Sequence, residues 1–185
     1  MLELNEVLIE GESRTLSMMA HEGQITCLTG DTPERQTRWL CCMMGFERVQ
    51  SGFVSIDGEP LTDGSAPVFR RQMAFAPMRL DKTGVVKVYE PPTVQDVFNL
   101  AVNSNLPISN GILAEEMRRV SSDSTDPRVQ LLAVAALLNK PILLVDDVLP
   151  SAMHYLRGKA SEGKVVIVTS MDEEVMQAAD VVVEI

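Results

Sequence analysis

Two short stretches carry residue types that could handle phosphate and a metal ion. The first is Gly30-Asp31-Thr32-Pro33-Glu34-Arg35-Gln36-Thr37, between an apolar run and a helical pattern. A phosphate-binding loop at such a junction follows G-x-x-x-x-G-K-[ST]: glycines let backbone N–H groups converge on phosphate, the Lys adds charge and the hydroxyl reaches Mg²⁺. Gly30 and Thr37 satisfy that pattern, whereas Arg35 and Gln36 stand where its second Gly and its Lys belong. The second stretch is Ile142-Leu143-Leu144-Val145-Asp146-Asp147, an apolar strand ending in two carboxylates. In proteins with a phosphate loop, such a strand supplies the Asp that holds Mg²⁺. The same acidic strand end also suits the phosphorylatable Asp of a receiver domain, but too little chain follows it to build one.

Composition narrows the classes. The chain has 185 residues, 45% of them hydrophobic, and a formal net charge of −10. That field repels nucleic acid, and the few aromatics give bases little to stack on. Cys27, Cys41 and Cys42 make no disulfide framework and read as small buried hydrophobes. His21 and His154 have no neighbour at metal-ligand spacing. No apolar run reaches the ~18–20 residues of a membrane span, and the first residues lack the basic region of a signal peptide. A cytoplasmic protein is expected.

The elements that must position the two stretches follow from periodicity. Leu2 to Ile9, Leu16 to Ala20 and Gln24 to Thr29 read as strands, the last more buried than the others. A helix carrying Trp39, Leu40, Cys42, Met43 and Met44 stops at Gly45. Gly52 to Gly58 reads as a short strand ending in an Asp-Gly turn, and Arg71 to Ala76 as another strand. Thr93 caps a helix with Val94, Val97 and Ala101 on one face, and Ile112 to Val120 forms a second. Asp126-Pro127 opens a long helix, an Asp cap followed by Pro at the first helical position. Ile142 to Val145, Val165 to Thr169 and Val181 to Val183 read as parallel strands, separated by helices near Ser151 to Ser161 and Glu173 to Ala179. The fold class is α/β: antiparallel strands first, a helical insert in the middle, then alternating helices and parallel strands.

This order of elements resembles the ATP-binding cassette, the ATPase subunit of ABC transporters, over nearly the whole chain. Gly23 to Leu28 is similar to the strand before that family's phosphate loop, and Ser51 to Gly58 to its following hairpin. Phe69 to Pro77 resembles the approach to its Q-loop, and Thr93-Val94-Gln95-Asp96 the start of its helical subdomain. Ala136 to Asp146 resembles its Walker B approach, Val165 to Thr169 the strand before its switch histidine, and Ala179 to Val183 its closing strand. The resemblance implies one P-loop-type cassette domain over residues 1–185, with a shortened helical insert over roughly 90–130.

The departures fall on the chemistry. Gln36 stands at the Lys position and Arg35 at the preceding Gly. Met78 stands at the Q-loop glutamine, Asp123-Ser124-Thr125-Asp126-Pro127 at the signature, Asp147 at the catalytic Glu and Ser170 at the switch His. Only Thr37, Ser124 and Asp146 match residue by residue; Thr37 and Asp146 would hold Mg²⁺ if nucleotide binds. Pro33 deletes a loop N–H, Glu34 adds a carboxylate and Arg35 a bulky side chain. Loss of the Lys and one N–H costs roughly 3–6 kcal/mol, about two to four decades of affinity. Arg35 or Arg38 swinging in would be the rescue. Ser170 cannot carry a proton near neutral pH as His does, so efficient ATP hydrolysis is not expected. Asp126, as an N-cap, should accept from the N–H of Arg128 or Val129, and Glu34 could do the same for the loop helix.

Three functions compete. The leading one is a non-catalytic cassette-like subunit with no bound cofactor, partnering or regulating a transmembrane permease or another cassette subunit on the cytoplasmic face of a membrane, or pairing with itself independently of nucleotide. The others are a divergent ATPase that still uses ATP and Mg²⁺, and a soluble interaction domain with no membrane partner.

Overall fold

The computed structural model describes residues 1–78, 80–81, 89–90, 93–99, 103, 109–122 and 125–185. Its first layer is an antiparallel sheet formed by β1 (Leu2–Ile9), β2 (Leu16–Ala20), β4 (Val49–Ile56) and β5 (Glu59–Pro60), in the order β2-β1-β4-β5. The second is a parallel sheet of β3 (Ile25–Thr29), β6 (Met73–Ala76), β9 (Ile142–Val145), β10 (Val165–Thr169) and β11 (Val181–Glu184), in the order β11-β3-β10-β9-β6. Short strands β7 (Leu80–Asp81) and β8 (Tyr89–Glu90) pair with each other.

Helix α1 (Pro33–Met43) joins the layers. Its Trp39, Leu40 and Met43 share one core with Leu2, Leu4 and Val7 of β1 and with Leu28, Leu144 and Ile167 of the parallel sheet. The residue adjacent to each of these along its parallel strand turns to the opposite face, as the two-residue pleat requires. Cys27, Val145 and Val168 there form a second core with Leu132 of α5 (Pro127–Leu137) and Leu156 of α6 (Met153–Ser161). Burial on both faces is why these strands read as unbroken apolar runs.

The Asp-Gly turn forms as expected: Asp57 and Gly58 both take positive φ (51° and 83°) and reverse β4 into β5. The strand before it does not begin at Gly52. It starts at Val49 and passes through Gly52 at φ 76°, where a Cβ would stand 2.3 Å from the carbonyl oxygens of Asn5 and Glu6. Glycine here marks a bulge against β1 rather than a strand end. The strand after it is shorter than its apolar pattern suggests. Arg71 and Gln72 belong to the turn after α2 (Ala66–Arg70), a helix too short to show a period.

In the insert, α3 (Val94–Asn99) and α4 (Asn110–Val120) lie where the sequence places helices, while Ala101, expected on the α3 face, lies outside the described residues. The buried Asn103 side chain donates to the carbonyl of Phe75 (2.6 Å) and accepts from its N–H (2.9 Å), pairing with β6 as another strand would. Helix α7 (Glu173–Ala178) precedes β11. Among the described residues, no helix is long and apolar enough to cross a membrane.

Candidate functional site

The parallel register brings the carboxyl ends of β3, β10, β9 and β6 side by side. Gly30, Ser170, Asp146 with Asp147, and Met78 lie just beyond those ends, where open α/β sheets place their ligand crevice. Thr37 comes to the same place on α1.

Asp146 is the hub. It is 3% exposed. One carboxylate oxygen accepts from the Thr37 hydroxyl (2.8 Å) and the Met78 N–H (3.2 Å), and the other from the Thr169 hydroxyl (2.9 Å). Thr169 in turn accepts from the N–H of Asp147 (2.8 Å), which sits at φ 52°. Sequence reasoning finds Thr37, Met78 and Asp146 but misses Thr169, whose only signal is a hydroxyl ending an apolar strand.

These observations locate the fold among known ones. No protein-family model and no curated protein matches the sequence. Solved structures do. A dimeric ATP-binding cassette in a post-hydrolysis state, bound to ADP and Pi, superposes with a TM-score of 0.71 at 16% identity, covering 100% of this chain and 94% of that one. A putative ABC transporter ATP-binding protein from Pyrococcus furiosus gives 0.69 at 15%, covering 99% and 96%. A subunit of an ABC transporter complex from Clostridium perfringens gives 0.66 at 16%, covering 99% and 83%. The fold is that of an ATP-binding cassette.

Within this cassette fold the loop after β3 is short. Helix α1 starts at Pro33, so Gly30, Asp31 and Thr32 alone are loop, and Glu34, Arg35 and Gln36 lie in the first helical turn. Thr32, not Glu34, is the cap. Its hydroxyl accepts from the N–H of Arg35 (3.4 Å) and its carbonyl from that of Gln36 (3.2 Å). Proline at the first helical position, with φ preset, and a Thr before it are a start signal. It is legible in Thr32-Pro33, although the phosphate-loop pattern draws attention away from it.

Gln36 is buried and its side-chain N–H₂ donates to the carbonyl of Ser170 (3.4 Å). Ser170, also buried, accepts from the N–H of Asp172 through its hydroxyl (3.1 Å). The Arg35 guanidinium donates to both oxygens of Glu12 (2.6–3.0 Å), to the carbonyl of Ile185 (2.7 Å) and to Asp31 (3.4 Å). Arg38 donates to the carbonyl of Glu10 (2.5 Å) and to the Glu47 carboxylate (3.2 Å). Both guanidinium groups are thus engaged by carboxylates of the chain itself. Their partners Glu12 and Glu47 lie 23 and 9 positions away and carry no motif.

On α5, Asp126 caps the helix as expected: its carboxylate accepts from the N–H of Arg128 at 2.8 Å. The Arg128 guanidinium closes back on the same carboxylate (2.8 Å) and reaches Asp147 (3.5 Å). Ser124 lies outside the described residues. The Arg128 side chain holds the Asp126 carboxyl below its ordinary value, with help from the Arg128 N–H. A depressed carboxyl stabilises the fold above its unfolded pKa and loses that contribution as pH falls through the folded one. Asp126→Ala should therefore cost about 0.5–2 kcal/mol at pH 7. Urea melts at pH 7 and at pH 2.5 should show the difference shrinking in acid; an equal loss at both would assign it to packing rather than to the cap's charge.

Proposed function

We propose that this chain is a non-catalytic cassette-type subunit, one domain over residues 1–185 with its helical insert near 90–130, acting as a partner or regulator on the cytoplasmic face of a membrane. Its partner would be a transmembrane permease or another cassette subunit. The Clostridium perfringens relative is part of an ABC transporter complex, and the post-hydrolysis cassette is a dimer; both favour an assembly over a solitary interaction domain.

The observation that carries the reading is the start of α1 at Pro33. A phosphate loop needs free N–H groups converging on an anion. Here Pro33 has none, and those of Arg35 and Gln36 bond to Thr32. The position of the Lys is filled by a buried amide, and the nearby cations Arg35 and Arg38 hold carboxylates. ATP therefore does not fit the phosphate side. Thr37 and Asp146 keep the donor types that hold Mg²⁺, but Asp146 already accepts from three protein groups. Where the catalytic carboxylate and histidine would act, Asp147 pairs with Arg128, and Ser170 offers no titrating group.

Calorimetry with Mg-ATP tests this. A dissociation constant weaker than about 1 mM is expected, since the lost charge and donor remove roughly two to four decades. A micromolar constant abolished by Arg35→Ala or Arg38→Ala would instead establish a divergent ATP-binding subunit.

A further inference from the structure

Beside the loop lies a cleft of about 720 Å³, lined by Arg14, Gly30, Asp31, Arg35, Trp39 and Ile185 among others. Its chemistry is unusual for a surface groove. Arg35 offers a planar fork suited to carboxylate or phosphate, and Arg14 adds a second cation to the lining. The Trp39 indole N–H is buried and has no acceptor among the described residues. Two guanidinium groups thus line the cleft, and what meets Arg35 is the chain itself. Glu12, with a side chain 6% exposed, holds Arg35 through both oxygens. Ile185 accepts from Arg35 through its carbonyl, and its side chain lies 2.8 Å from where a Cβ on Gly30 would stand.

We propose that Glu12 and Ile185 are an internal ligand of Arg35, an autoinhibitory contact that shuts this cleft to phosphate-bearing ligands. The proposal rests on the reading that the wild-type loop does not take nucleotide. Glu12 is the lock. If Arg35 moved to an external phosphate, a buried carboxylate would be left without its cation, which is strongly unfavourable. Burial of Glu12 thereby sets the affinity an incoming anion must exceed. Asp31 adds a weaker hold from the exposed rim at 3.4 Å, and Glu184 contributes a further negative charge to the lining. A partner that displaced the end of β11 would remove the Ile185 carbonyl and loosen the contact without touching the loop.

Trp39 is the chain's single tryptophan and lines this cleft from the core of α1, so its emission reports on the cleft wall, and the heat of binding checks that reading independently. The full chain and the double variant Glu12→Gln, Asp31→Asn are titrated with inorganic pyrophosphate, following Trp39 emission and heat. The variant should bind at least tenfold more tightly than wild type, and adding Arg35→Ala should abolish the gain. A variant folded by circular dichroism that binds no better than wild type overturns the contact while leaving the non-catalytic reading intact. Tight binding by the wild type overturns both. Should the double variant not fold, Glu12→Asp, which shortens the carboxylate's reach, must show a gain in the same direction; no gain there overturns the proposal equally.

Discussion

Replacing Asp146 by alanine should lower the stability of the chain by about 2–4 kcal/mol, whether or not ATP and Mg²⁺ are present. The size follows from what the carboxylate holds. Removing it leaves the Thr37 and Thr169 hydroxyls and the Met78 N–H without their acceptor, in a position 3% exposed. Each buried donor so abandoned costs about 1–3 kcal/mol. Two effects reduce the total. Thr37 can bond instead to the carbonyl of Pro33 at 3.0 Å, and a buried charge no longer has to be desolvated. For a chain of this length, about 1 kcal/mol moves Tm by about 2–4 °C, so a drop of roughly 5–15 °C is expected. Asn at the same position should lose nearly as much, because its amide presents a donor to groups that are themselves donors. In a subunit that depends on nucleotide, the main consequence of this substitution would be lost activity, and millimolar Mg-ATP would raise the Tm of the wild type. Here 1 mM ligand with a constant weaker than about 1 mM stabilises by less than about 0.4 kcal/mol. An alanine variant that melts with the wild type, or a wild type that Mg-ATP stabilises strongly, would sink the account of Asp146 as an internal hub.

The framework was legible because its signals are local. Ile142 to Val145 and Val165 to Thr169 are short, largely β-branched apolar runs that suit a strand covered on both faces, and Asp126-Pro127 and Asp57-Gly58 mark a helix start and a turn by residue type alone. Gly52 reads as a strand end for the opposite reason: a glycine that ends a strand and one that bulges it look the same until the carbonyls of Asn5 and Glu6 are seen across the ladder. The site divided along the same line. Gln36, Thr37 and Asp146 lie on a known spacing and could be named. Thr169 acts on Asp146, Arg128 on Asp147, and Glu12 and Ile185 on Arg35, each from another element, the last two from 23 and 150 positions away. No pattern along the chain encodes such pairings. The loop itself shows how two local signals compete. Gly30 and Thr37 suggest a phosphate cradle, Thr32-Pro33 a capped helix start, and the cap prevails because α1 already has Trp39, Leu40 and Met43 to bury.

That competition predicts an unusual result for the substitution that would ordinarily repair a phosphate loop. Gln36→Lys restores the missing cation by residue type, yet it should destabilise the chain by roughly 3–4 kcal/mol at pH 7 and add no measurable ATP affinity. Position 36 is 1% exposed, and its side chain points at the carbonyl of Ser170, a single acceptor at 3.4 Å. The Gln36 amide bonds one carbonyl there and no described carboxylate, so an ammonium held in its place would be desolvated without a bonded counter-charge, and burial would lower its pKa. The penalty has a ceiling, because the amine can give up its proton; for an ordinary lysine near 10.4 that costs about 4.6 kcal/mol at pH 7. The sign of the pH dependence follows. A lysine whose folded pKa lies below its unfolded one destabilises fully below the folded pKa and recovers as pH rises toward the unfolded value. Denaturant melts of wild type and variant should therefore converge between pH 7 and about pH 10. No phosphate is expected to rescue the charge, since the N–H groups of Arg35 and Gln36 remain bonded to Thr32 and the first turn of α1 stays closed. Should the lysine variant instead match the wild type in stability and bind Mg-ATP in the micromolar range, position 36 would have to face an open phosphate cradle, and the collapse of the loop into α1 would be refuted.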